Sequence, residues 1–368
     1  MKLRYKIANG LIITLALATV AFALVLSHNS DCEPVPSISG EKSSMKAIVA
    51  QCYGSPDVLE FVDIAKPVPA DNEVLVKVHA ASVNPLDWHF LRGTPYVIRL
   101  FSGLGTPNDP GVGVDFSGTV EAVGKDVTRY KVGDEVFGGG DGAFAEYVLK
   151  EEDSHSFVLK PDNVSHDQAA AVPIAGLTAL QALRDSGKLK AGETVLINGA
   201  SGGVGTLAVQ ISKSFGAEVT GVCSTRNLEM VLSIGADHVI DYKKDNYTQK
   251  GLQYDLIIDM VGNHSISDNL KALKPEGRMV MVGGAKGNWI APFLGEISAR
   301  LWVPFIDQEI VGILSKFNSD DLNTLGELMR TGELDPVIGS RYELAGTAEA
   351  IRHSEKGHAR GKIIIDIH

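Results

Sequence analysis

Cysteine is scarce in this chain: three residues in 368, Cys32, Cys52 and Cys223, with no CxxC pair and no His/Cys ligand spacing. That excludes a disulfide-built scaffold and a four-cysteine zinc lobe, and the three thiols are expected to be unpaired. Basic charge is also short, with 34 Lys and Arg against 45 Asp and Glu, a formal net charge of −11. Such a surface lacks the positive field that nucleic acid requires, so no nucleic-acid partner is expected. Internal repeats are absent. What is present, 44% apolar residues, 21% charged residues and 39 glycines, is the profile of a globular α/β protein. The length suits about two domains at ~100 to 200 residues each.

One long hydrophobic run stands at the start. Lys2, Arg4 and Lys6 precede apolar and small residues from Leu11 to Leu26, closed by Ser27, His28 and Asn29. This is the layout of a signal peptide or a membrane anchor. The Ala21/Ala23 pair offers a cleavage pattern, but Leu24, Val25 and Leu26 carry the apolar stretch past it, which favours an uncleaved helix over residues 1–27. Residues 28–44, rich in Ser, Glu and Pro, read as a linker, and Met45 resembles a natural start of the globular part. Localisation is therefore expected at a membrane through this single segment, the alternatives being export or an internal start at Met45 in the cytoplasm.

From Met45 to about Gly142, short β-branched runs such as Glu73–His79, Phe116–Val123 and Asp134–Phe137 are broken by Gly, Pro and Asp, which predicts a compact β-rich domain. Beyond Pro173 apolar strands alternate with helical patterns: Thr194–Asn198, Val219–Cys223, His238–Ile240, Leu256–Val261 and Arg278–Val282. That alternation predicts a parallel sheet with crossover helices. A helix over Ala345–His353 and a strand over Lys362–Ile367 return at the end, with the strand expected to pair back onto the first domain.

The strand Thr194–Asn198 runs into Gly199-Ala200-Ser201-Gly202-Gly203-Val204-Gly205 and then a helical stretch from Thr206 to Phe215. Glycines permit the tight turn and let backbone N–H groups approach a pyrophosphate at the positive end of the helix dipole. About 20 residues on, an acid would bind free ribose hydroxyls. This chain has Cys223-Ser224-Thr225-Arg226-Asn227 instead, and a guanidinium beside hydroxyls suits a 2′-phosphate, hence NADPH.

Several further motifs complete a pattern. Ala80-Ala81-Ser82-Val83-Asn84-Pro85-Leu86-Asp87, Gly113-Val114-Asp115-Phe116-Ser117-Gly118, Gly133-Asp134-Glu135-Val136-Phe137-Gly138 and Ala175-Gly176-Leu177-Thr178-Ala179, taken with the glycine turn, resemble the zinc-independent quinone oxidoreductase (zeta-crystallin-like) branch of the medium-chain dehydrogenases/reductases. The resemblance covers Met45 to Ile367. It implies a GroES-like catalytic domain from residues 45–171 and 320–368 around a Rossmann NADPH-binding domain, a doubly wound parallel sheet, from residues 172–319. It implies that Thr178, Ser201, Gly202, Gly203 and Val204 contact the cofactor's phosphates or nicotinamide side, that Ser224, Arg226 and Tyr242 face the adenosine phosphate, and that Lys362 closes over it from the tail. Relatives often pair through the Rossmann sheet edge, which implies a homodimer.

Two departures bear on chemistry. The superfamily's zinc alcohol dehydrogenases hold catalytic zinc with a Cys where this chain has Asn84 and a His-Glu pair where it has Val114-Asp115, so no metal is expected. Where the zinc-free branch often has Tyr two residues after the Asp, this chain has His89, and the tyrosine's role does not carry over. The expected reaction is hydride transfer to a quinone or an α,β-unsaturated carbonyl, with Asn84 donating an amide N–H toward ribose or substrate oxygen and Asp87 ordering the loop or relaying a proton. Asp87 is equally suited to capping the helical stretch from Trp88. Trp88, Tyr96 and Phe101 are candidates for a flat pocket or for core, and Arg92 for a structural ion pair. The alternatives are a metal-free alcohol or aldehyde dehydrogenase, and a membrane-tethered NADPH-binding protein without turnover.

Overall fold

The structure is a computed structural model that describes residues 2–35, 43–284, 287–289, 291 and 294–368, with side chains described from residue 13 onward, Val303 excepted. Two large sheets organise it. The first is built from β3 (Glu73–Val83), β4 (Asp115–Val123), β5 (Glu135–Gly139), β6 (Tyr147–Glu151) and β7 (Phe157–Leu159), and is completed by β14 (Ile338–Glu343) and β15 (Lys362–Asp366) from the tail. Its order is β14-β15-β3-β4-β5-β7, with β6 also on β3. The expected return of the tail is observed: Ile364 lies opposite Ser82 in an antiparallel β15–β3 pair. A separate hairpin-like pair, β1 (Ser44–Val49) and β2 (Glu60–Ala65), packs beside this sheet.

The second sheet is wholly parallel, in the order β10-β9-β8-β11-β12-β13. Its strands are β8 (Thr194–Asn198), β9 (Glu218–Cys223), β10 (His238–Asp241), β11 (Tyr254–Asp259), β12 (Leu273–Met281) and β13 (Glu309–Gly312). The five predicted strands fall on β8 to β12. The prediction missed β13, a four-residue edge strand. The chain reverses its direction of winding between β8 and β11, and a crevice at the carboxyl ends of the strands is where such sheets bind ligands.

Helices cover both sheets. α2 (Pro85–Arg92), α3 (Arg99–Ser102), α4 (His166–Ala170) and α11 (Thr347–Glu355) belong to the first, and α5 (Pro173–Gln181), α6 (Gly203–Ser214), α7 (Leu228–Ser233), α8 (Ile266–Lys271) and α9 (Leu294–Trp302) to the second. α10 (Ser319–Thr331) buries Leu322, Leu325 and Met329 in a cluster shared with Phe137 and Val158 of the first sheet and Leu177 and Leu180 of α5. That shared apolar cluster fixes the two sheets relative to each other, and so fixes the cleft between them.

The hydrophobic start folds as α1 (Lys2–Ser27). Among the described residues no helix is long and apolar enough to cross a membrane, so the transmembrane expectation finds no support there. Residues 28–35 do not form the free linker read from composition, and 36–42 lie outside the described residues. Ser30 N–H donates to the Gly105 carbonyl (3.0 Å). Arg99, fully buried, donates to the carbonyls of Leu26 (3.0 Å), His28 (2.8 Å) and Gly93 (2.8 Å), and lies over the rings of Tyr53 and Tyr96. The expectation of three unpaired cysteines is corrected as well. Cys32 and Cys52 form a disulfide, Cα atoms 5.0 Å apart, and only Cys223 is free and buried. Spacing alone cannot reveal such a bridge, because the tertiary fold, not the sequence interval, brings the two residues together.

Candidate active site

A cleft of about 490 Å³ opens along the carboxyl ends of the parallel strands and is closed on its other side by the start of α2 and the tail. Ser201, Gly202, Gly203 and Val204 form its floor, with Ser224, Arg226 and Tyr242 toward one end and Asn84 and Lys362 also lining it. Nine of the eleven residues singled out from the sequence therefore share one cavity. Thr178 and Asp87 are not among the lining residues.

The floor is built as the glycines dictate. β8 is buried apart from its first residue, and Gly202 caps α6, so the helix begins at the cavity with its unsatisfied N–H groups turned inward. A Cβ on Gly205 would lie 2.1 Å from the Gly199 carbonyl oxygen, so only glycine closes this turn. The tail clamps it from above: Gly361 N–H donates to the Ser201 carbonyl (2.9 Å), and Arg226 Nη2 donates to the His358 carbonyl (2.9 Å). Asn227 Nδ2 donates to Ser201 Oγ (2.9 Å), tying the 224–227 turn to the glycine turn.

Opposite the floor lies a buried polar cluster. Lys362 Nζ donates to Asn84 Oδ1 (2.5 Å) and stands 3.5 Å from Asp115 Oδ2. Asn84 Nδ2 donates to Asp115 Oδ2 (3.0 Å) and to the Ser82 carbonyl (3.2 Å). The amide's orientation follows from its partners, because an ammonium only donates and a carboxylate only accepts. Asp115 also accepts from Ser82 Oγ (3.2 Å) and from the Ile174 N–H (3.0 Å). Both amide hydrogens of Asn84 are thus engaged inward, which corrects the expectation that they reach ribose or substrate. The group that presents donors at this end is the Lys362 ammonium. Lys362 is corrected too: its stem runs past the glycine turn, its Cδ 3.0 Å from where a Cβ on Gly203 would lie, and its head joins Asn84 and Asp115 rather than closing over the adenosine end.

Asp87 lies beneath this cluster, almost fully buried, with Oδ2 accepting from the Asn84 N–H (2.6 Å) and Oδ1 without a hydrogen-bond partner. It caps α2 as its position suggested. Burial lifts its pKa to about 7 against the pull of the Asn84 N–H, and the Asp115 carboxylate adds to the rise. Burial likewise raises Asp115, opposed chiefly by Lys362, and lowers Lys362, opposed chiefly by Asp115.

Other candidates fall elsewhere. Thr178 Oγ1 donates to the Ile174 carbonyl (2.7 Å) and lies 2.9 Å from Ser315 Oγ, from which it can accept. His89 Nδ1 lies 2.7 Å from the Thr94 carbonyl, its ring beside Trp88, and burial lowers its pKa. Tyr96 packs on Arg99 and Trp289, Phe101 is 83% exposed, and Arg92 pairs with Glu355 as expected. The sequence marks Asp115 only as a replaced zinc-ligand position and gives Asn198 no site role. Asn198 Nδ2 donates to Asp259 Oδ1 (2.9 Å) and Asn263 Oδ1 (2.8 Å) at the cleft edge. A polar residue at the carboxyl end of an otherwise apolar strand was the available signal.

Comparison with known proteins agrees with this geometry. Residues 70–162 match the alcohol dehydrogenase GroES-like domain and residues 234–365 the zinc-binding dehydrogenase model. The human quinone oxidoreductase is 35% identical over 337 residues, 87% of this chain and 97% of that protein. The chain belongs to the medium-chain dehydrogenases/reductases, in their quinone oxidoreductase branch. Among solved structures, the quinone oxidoreductase of Coxiella burnetii superposes with a TM-score of 0.77 at 33% identity, covering 88% of this chain and all of that one. The Escherichia coli quinone oxidoreductase complexed with NADPH gives 0.75 at 25% identity, covering 87% and 99%.

One matched model of this family is described as zinc-binding, and the residues here do not fit that ion. Zinc takes thiolate, imidazole or carboxylate ligands in a tetrahedron. Asn84 and Asp115 instead surround an ammonium, and among the described residues no group of three His, Cys, Asp or Glu side chains could hold a metal.

Proposed function

We propose that this chain is an NADPH-dependent oxidoreductase that delivers hydride to a quinone or an α,β-unsaturated carbonyl without zinc. The observation that carries the reading is one continuous cavity with a glycine-turn helix N-terminus between Arg226 and the Lys362–Asn84–Asp115 cluster. NADPH, when bound, would supply the hydride. The α6 N-terminus and the glycine N–H groups would hold its pyrophosphate, and Ser224, Arg226 and Tyr242 its 2′-phosphate. The Lys362 ammonium would meet negative charge developing on a conjugated oxygen. Asp115 and Asn84 hold that ammonium in place. The kinship with quinone oxidoreductases supports the acceptor class.

The finer organisation is proposed with it: a catalytic domain of residues 45–171 and 320–368 around a cofactor domain of 172–319, pairing of two copies through an edge of the parallel sheet, and membrane attachment through α1. The test of the cofactor reading is fluorescence titration of the full chain with NADPH and NADH. Arg226→Ala is expected to weaken NADPH roughly 10- to 100-fold, the loss of a charge-assisted phosphate contact, and to leave NADH unchanged. Equal binding of both cofactors, unchanged in the variant, would overturn the phosphate site. NADPH oxidation across a quinone and enone panel tests turnover, and no reaction with any acceptor would favour cofactor binding alone.

A further inference from the structure

The N-terminal helix raises a physical problem unrelated to the cleft. From Ile13 to Val25, α1 carries only apolar or small residues and Thr, and its side chains are exposed around the whole circumference, Leu15, Leu17 and Leu24 by 65 to 70%. A helix apolar on every side is stable when apolar matter surrounds it. It does not leave the domain freely. Leu26 is buried, Arg99 holds the Leu26 and His28 carbonyls, Ser30 bonds Gly105, and the Cys32–Cys52 bridge ties the chain beyond α1 to the domain.

The segment that receives α1 is itself apolar and exposed. Between Val97 and Gly105 the chain presents Leu100, Phe101 (83% exposed) and Leu104 (56% exposed) to the outside. These side chains stand on the segment whose Arg99 grips the end of α1, so two exposed apolar features meet at one place, and apolar surface gathered in this way marks an interaction site. Charge identifies what meets it. The first 30 residues hold Lys2, Arg4 and Lys6 and no acid, in a chain of net charge −11, so the cationic end suits anionic headgroups while the apolar face suits acyl chains.

We infer that α1 and the 97–104 segment form one lipid-docking surface, which seats the catalytic domain on an anionic phospholipid leaflet with Phe101 and Leu104 dipped into its acyl region. This rests on the membrane attachment proposed above and adds that the domain itself touches lipid. Because Arg99 links both parts, the cleft takes a fixed orientation to the bilayer, and a lipophilic acceptor dissolved in that leaflet is the substrate form the arrangement favours.

The test uses the full chain with vesicles of phosphatidylglycerol and phosphatidylcholine. Wild type is expected to float with them, and emission from the tryptophan of Phe101→Trp is expected to be quenched by lipids brominated on their acyl chains. Replacing Phe101 and Leu104 together by Asn should lower vesicle partitioning about tenfold or more, because two large apolar side chains lose their lipid contact. NADPH titration of that variant should remain unchanged, which shows an intact fold. Flotation with unquenched emission and unchanged partitioning would mean that α1 anchors alone and would overturn the surface. No flotation, with self-association by light scattering, would assign the apolar face to a second copy and overturn it as well. Neither readout depends on turnover, so failure of the acceptor screen would not bear on it.

Discussion

Asp87 provides a direct check on the buried cluster. Its carboxyl is almost fully buried, accepts one hydrogen bond from the Asn84 N–H, and is raised from 3.8 to about 7. A folded-state pKa above the unfolded one means that the native chain keeps a proton that the unfolded chain has released. Stability from this group is therefore fully present below the unfolded value and is lost as pH rises through the window up to about 7. The loss is about 1.4 kcal/mol per pH unit, or about 4 kcal/mol over the whole gap. Asp87→Asn keeps an acceptor for the Asn84 N–H and removes the titration. Between pH 5 and pH 8 the variant should gain about 3 kcal/mol relative to wild type, the part of the gap that lies in that interval. Near pH 5 the two should lie within roughly 1 to 3 kcal/mol, the cost of an unpartnered amide hydrogen where Oδ1 now sits. Urea unfolding of both chains at pH 5, 6, 7 and 8 measures this, and the titrations of groups not coupled to Asp87 cancel in the difference. A wild-type-to-variant difference that is the same at pH 5 and pH 8 would refute the reasoning, since it would mean that Asp87 is charged in the folded protein throughout.

The remaining expectations rest on single contacts. Lys362→Met leaves the buried Asp115 charge without its cation and should cost about 3 to 5 kcal/mol, much of it restored by adding Asp115→Asn, as a double-mutant cycle in urea would show. Gly205→Ala drives a methyl into the Gly199 carbonyl, so NADPH binding should fall below detection in titration and the melting temperature should drop. Reducing Cys32–Cys52, which are 20 residues apart, should cost about 3 kcal/mol on a loop-closure estimate, read as a lower melting temperature with reductant and no further drop in Cys32→Ser.

Much of the fold was legible because its signals are local. The β8 strand, the glycine turn and α6 succeed one another within about 20 residues, and each depends on short-range rules: a β-branched run, glycine where a Cβ cannot fit, and a helix N-terminus facing a phosphate site. The helix after Asn84-Pro85 and the strand character of Lys362–Asp366 were readable for the same reason. Roles carried by long-range contacts were not. Asn84 was identified as a cleft residue, but which way its amide points is decided by Lys362, 278 residues away, and by Asp115. Asp115 itself could be read only as a lost ligand.

By itself, then, the sequence determined the β-rich first part, the alternation behind the parallel sheet, the glycine turn between β8 and α6 and the replacement of the zinc-ligand positions, because these reside in residue types and their spacing along the chain. Tertiary structure alone decided that Cys32 meets Cys52, that Arg99 holds the end of α1, that Thr178 bonds Ile174 and Ser315, and that Lys362 stands among Asn84 and Asp115. The physical reason is common to all four. A side chain's partner is fixed by which elements the core brings together, and burial then sets its charge and the direction in which its hydrogen bonds must point.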